Sequence, residues 1–280
     1  MVSRTGLQRF LFIVLMAGLA IAQPLYALLG RQAEFFVAQG WGATQLLLFA
    51  GCLSLVLPVF LAFLPVLGGA LHRRCGAGLF WGIAGLLTWL AALPAAIRLG
   101  LAGTAAVAVA GGAAVILLLA WRRWYALQLF FEVLSPAILL FPLMFLGFSE
   151  ATQLFRTQTT EIGKVGSQGR EANVVWVVLD EFPLLSLLTP DLQIDRTAYP
   201  NFARLAGMAN WYVAGTTGAD TTVPAVTEAL TGVREGPGDQ RLPTASNYPR
   251  NLFSLLQGRY DLTVKETATL LCPPQACSGP

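Results

Sequence analysis

Three residues of this chain have the type and placing to do chemistry. Asp180 and Glu181 directly follow Asn173–Leu179, a continuous β-branched and aromatic run. Such a run predicts a strand buried on both faces. In open α/β sheets, ligands bind beyond the carboxyl ends of strands. Two adjacent carboxylates there suit a hard or borderline divalent metal; the plainer reading is a solvated loop pair. The third residue is Thr222, in Thr221-Thr222-Val223-Pro224, ahead of a helix predicted over Ala225–Leu230 and ended by Thr231-Gly232. Thr222 at the N-cap, with Pro224 in the first turn, fits capping alone. It also fits a nucleophile. A helix N-terminus favours a tetrahedral anion, and a metal held by Asp180 and Glu181 would deprotonate the hydroxyl.

The elements around these residues follow an α/β rhythm. Tyr199-Pro200-Asn201-Phe202 opens a helix with proline in its first turn. Trp211–Ala214 predicts a short strand. Asn251–Gln257 predicts a helix stopped by Gly258, and Tyr260–Val264 a second buried strand with Glu266-Thr267 at its end.

The rest of the chain is of another kind. Of 280 residues, 55% are apolar and 12% charged, against about 25% charged in an ordinary soluble domain. Mean hydropathy is +0.62. These values exclude a disordered chain, a nucleic-acid-binding arm and a conventional cytosolic enzyme. Residues 1–149 carry eight arginines and two acids, net +6; residues 150–280 carry ten basic and thirteen acidic residues, net −3, giving +3 in all. Five stretches of the first part, 10–30, 46–71, 78–97, 101–121 and 124–148, match the length a bilayer demands. Residues 1–148 therefore read as an all-α membrane bundle, 149–172 as a polar linker with a helical turn near Ala151–Phe155, and 173–280 as an α/β domain.

Arg4, Arg9, Arg73, Arg74, Arg122 and Arg123 fall on one side of this zigzag, and Arg31 and Arg98 on the other. The positive-inside bias then puts the N-terminus in the cytoplasm and the C-terminal domain outside. Ala20-Ile21-Ala22 offers an alternative, a signal cleavage site after the first apolar core. Glu132, inside the fifth stretch, reads as a paired or snorkelled carboxylate or as a transport residue. Arginine outnumbers lysine sixteen to two, a bias of GC-rich bacterial genomes.

Taken together, Asp180-Glu181 after a strand, Tyr199-Pro200-Asn201-Phe202, and Thr222-Val223-Pro224 with Leu230-Thr231-Gly232 resemble the N-terminal part of a sulfatase-type domain of the alkaline phosphatase superfamily. The membrane half beside it is similar to lipoteichoic-acid synthases and phosphoethanolamine transferases. The resemblance covers about 173–270. It implies a partial alkaline-phosphatase-like sheet, Thr222 as nucleophile forming a phospho-threonine, and Asp180 and Glu181 holding Zn²⁺, Mn²⁺, Mg²⁺ or Ca²⁺. It implies a phospholipid or envelope glycan as substrate, at the bacterial cytoplasmic membrane. Val226 stands where a sulfatase has its motif arginine, which disfavours sulfate esters. The family's later Asp and His ligands have no counterpart; the lone histidine, His72, lies in a loop of the first half. The expectation is a truncated product, one half of a split protein completed by another chain, or a degenerate paralogue. A non-catalytic membrane protein whose second half only binds is the competing expectation.

Cys52 and Cys75 read as free thiols. Cys272 and Cys277 bracket Pro273-Pro274-Gln275-Ala276, and an oxidising compartment favours a local disulfide between them.

Overall fold

The computed structural model describes residues 4–155, 172–212, 214–236, 238–273 and 276–278. The chain divides into two compact units, 1–157 with 240–244 and 158–239 with 245–280.

The first unit is helical. Among the described residues five helices are long and apolar enough to cross a membrane: Gly6–Leu29, Ala43–Leu71, Arg73–Arg98, Gly103–Arg123 and Tyr125–Phe148. Each contains one of the apolar stretches read from the sequence or overlaps nearly all of it. Helices are what apolar sequence must form in lipid, because each satisfies its own backbone hydrogen bonds. The prolines leave their mark on them. Pro24 and Pro58 each follow a π-helical turn, Gly18–Ala22 and Cys52–Val56, and Pro136 sits in a 3₁₀ turn, Ser135–Leu139. Proline lacks an N–H and crowds the carbonyl four residues back; a change of helical pitch relieves both.

Aromatic rings hold the bundle together. Phe12 packs on Trp121 and Phe131 at centroid distances of 4.9 and 5.2 Å, and Phe80 lies 5.6 Å from Trp121. These contacts tie the first, third, fourth and fifth spans at one level. Arg9 lies one turn from Phe12, Arg122 follows Trp121, and Arg73-Arg74 precede Phe80 by under two turns. Arg9, Arg73, Arg74, Arg122 and Arg123 therefore gather at one end of the bundle, and Arg98 ends its helix at the other. A second aromatic group marks the other end. Tyr26 stacks on Phe145 at 4.8 Å, and Phe36, in a short helix Glu34–Ala38, packs against Trp41 at 5.3 Å. Beyond the fifth span a 3₁₀ turn, Glu150–Phe155, begins the linker; the linker residues 156–171 lie outside the described residues. Gln153 fastens the 240–244 segment, donating to the carbonyl of Gln240 and accepting from the amide of Leu242.

The second unit departs from the expected α/β sheet. Among its described residues the strands are one parallel pair, Leu262–Thr263 with Cys277–Ser278. The run Asn173–Leu179 pairs with no described neighbour, and every residue in it is exposed. The Tyr260–Val264 strand is cut to two residues and half-exposed, not buried. The described residues of Trp211–Ala214 form no strand, and Val213 lies outside them. The physical reason is common to all three. A strand's ladder and its buried faces come from neighbours elsewhere in the chain, whereas a helix closes its own hydrogen bonds.

The predicted helices form: Pro200–Met208, Thr222–Thr231 and Leu252–Leu256. Asn251 caps the last, accepting from the amide of Ser254, while its Nδ2 donates to the carbonyls of Tyr248 and Leu271. Leu230, Tyr248 and Leu271 are the buried centre of this small core. Cys272 and Cys277 are joined as a disulfide with Cα atoms 6.2 Å apart.

Candidate functional site

Thr222 is not the N-cap of its helix. Thr221 takes that place and makes no side-chain capping bond. Thr222 is the first helical residue, and its hydroxyl turns elsewhere: Oγ1 donates to Asp180 Oδ1 at 2.8 Å. The two residues are 42 positions apart in the chain, so the fold brings the expected nucleophile and the first expected carboxylate together. The first backbone N–H groups of an α-helix have no intrahelical acceptor. Here they lack a side-chain cap as well, which leaves the N-terminus suited to an anion.

Asp180 Oδ1 also accepts from the amide of Glu181 at 2.9 Å. Glu181 has φ of 52°, a left-handed conformation a non-glycine residue adopts at some expense. The turn directs the chain away directly after Asp180. The loop ahead of Thr222 is fastened from the other side. Arg234 Nη2 donates to the carbonyl of Gly218 at 2.9 Å. A side chain at Gly218 would collide with the Glu228 carboxylate.

Asp180 and Thr222 open onto a cavity of about 280 Å³. Val174, Trp176 and Val178 line it, alternate residues as on one face of a strand, and Val226 and Leu230 line it from the helix. So does Lys265. Sequence reasoning passed over this lysine; its position directly after Tyr260–Val264 was the available signal. Glu266 lines the cavity too, but its carboxylate is taken, accepting from Thr269 and from the amides of Leu271 and Cys272.

The described residues do not complete a metal centre. Asp180 and Glu181 supply two carboxylates, one oxygen of which already accepts two hydrogen bonds. No group of three or more His, Cys, Asp or Glu side chains comes together among the described residues. Protein metal sites commonly need three or more protein ligands.

In the first unit, Glu132 Oε2 accepts from Gln8 Nε2 at 3.3 Å, which gives the intramembrane carboxylate a polar partner on the first span.

The fold defines the class: a multi-pass membrane protein with a second, compact unit. No family model, curated protein or solved structure matches the chain.

Proposed function

We propose that this protein is a membrane-anchored, sulfatase-like hydrolase or transferase acting on phosphate esters of the cell envelope, with Thr222 as its nucleophile. The observation that carries the reading is the Thr222–Asp180 hydrogen bond at an uncapped helix N-terminus. In the reaction, Thr222 Oγ1 forms a bond to phosphorus and the ester P–O bond breaks. The hydroxyl proton passes to Asp180, and the leaving oxygen takes a proton from water. The helix N–H groups and the Lys265 ammonium counter the charge on the phosphoryl oxygens. Water or an envelope acceptor then releases the group from Thr222. The membrane half keeps the site near lipid-linked substrates such as phospholipid headgroups. The arginine pattern supports a cytoplasmic N-terminus and an extracytoplasmic second unit.

The test is turnover of bis(p-nitrophenyl) phosphate by the purified full chain. Phosphate-ester turnover abolished by Thr222→Ala and kept by Thr222→Ser supports the reading. Turnover unchanged in Thr222→Ala overturns it.

The shortage of carboxylates favours a second reading, a non-catalytic protein whose second unit binds phosphate esters without cleaving them. Binding of the same ester, with no turnover in the presence of Zn²⁺, Mn²⁺, Mg²⁺ or Ca²⁺, distinguishes it.

A further inference from the structure

At the arginine-bearing end of the bundle a second cavity, of about 330 Å³, opens between the first, second and third spans. Arg9 and Arg73 line it, with Phe80, Pro65 and Gly76, and no acid is among its lining residues. Arg9 Nε is buried there without a hydrogen-bond partner. Its guanidinium lies 5.1 Å over the Phe80 ring, a contact that positions the charge without neutralising it. Arg9 is half-buried, and a guanidinium nitrogen withdrawn from water into an apolar bundle favours an anion beside it. Glu132, the span carboxylate that accepts from Gln8, does not line the cavity.

The walls are built closely. A side chain at Gly76 would meet the Cα of Gly69 at 2.6 Å and the carbonyl of Pro65 at 2.7 Å. The second and third spans thus meet backbone to backbone below the cavity that Arg9 and Arg73 line. Arg73 is also the first residue of its helix, where the dipole adds to the positive field. The volume falls at the lower end of the range of small-ligand pockets. Basic pockets between spans, at headgroup depth, suit phosphate groups.

We propose that the cavity between Arg9 and Arg73 is a phosphate-anion site, filled by the headgroup phosphate of an anionic lipid or by free phosphate. It is separate from the Thr222 site and does not depend on the function proposed for it.

The test places the full chain in phosphatidylcholine nanodiscs and titrates in phosphatidylglycerol, reading retained lipid by native mass spectrometry. Wild type retains phosphatidylglycerol. Arg73→Gln and Arg9→Gln each weaken retention by about tenfold, the size of a lost charge-assisted contact, and Arg123→Gln leaves it unchanged. Arg73 is exposed, so its variant reads binding apart from folding. A parallel arm adds inorganic phosphate. Displacement of phosphatidylglycerol by phosphate makes free phosphate a ligand of the site, and retention undisturbed by phosphate assigns the site to lipid. Equal retention by wild type and Arg73→Gln, with no effect of phosphate on either, overturns the proposal.

Discussion

Thr222 has one hydroxyl, and two uses compete for it. Capping would aim it at the helix's own N–H groups; instead it donates to Asp180. That geometry is what the proposed nucleophilic role of Thr222 rests on. Thr222→Ala should lower ester turnover at least about a thousandfold, as removal of a nucleophile does. Helix stability should change little, because the Thr222 hydroxyl makes no capping bond to its helix. A circular dichroism melt beside the turnover assay checks both. Asp180→Asn keeps a hydrogen-bond acceptor but removes the proton's destination, so it should slow the reaction and leave the melt unchanged. The pairing was partly legible in the sequence, since Asp180, Thr222 and Pro224 stood in a familiar order. The register was not: a Thr-Thr pair offers two N-caps of equal chemistry, and tertiary contact with Asp180 selects Thr221.

At the scale of elements, the spans were legible and the sheet was not. Twenty apolar residues in lipid form a helix without help from the rest of the chain. Val174–Leu179 is as apolar as a span, but a strand is only half of an interaction, and no described segment pairs with it. The helices of the second unit were legible for the same reason as the spans: Pro200, Asn251 and Gly258 are local start and stop signals. Asn251 carries much of this unit's order. Asn251→Ala removes the cap and two hydrogen bonds to buried carbonyls, and should destabilise the unit by about 2 kcal/mol. Limited proteolysis of the region after residue 245 would show it as faster cleavage. In the bundle, Gly76→Leu forces the second and third spans apart against backbone atoms. The penalty should be about 1–3 kcal/mol, seen as a lower midpoint in a detergent thermal melt.

At the scale of the whole molecule, the charge division and the bundle agree. Arg9, Arg73, Arg74, Arg122 and Arg123 gather at one end, and the ring cluster of Phe12, Phe80 and Trp121 lies just inside it. Cys75 is exposed at that same end. With a cytoplasmic N-terminus, a membrane-impermeant maleimide should label Cys75 in a Cys52→Ser background only after spheroplasts are opened. Labelling in intact spheroplasts would reverse the topology and put the second unit in the cytoplasm. With the second unit extracytoplasmic, Cys272 and Cys277 would lie in an oxidising compartment, where a disulfide persists.

Under the proposed function, Thr222 forms a covalent bond to phosphorus. The most direct measurement is peptide mass spectrometry of the full chain, acid-quenched after incubation with bis(p-nitrophenyl) phosphate. A phosphoryl or phosphodiester adduct is expected on Thr222, absent from Thr222→Ala and enriched when release is slowed. Turnover of the ester with Thr222 unmodified at every time of quenching would contradict it.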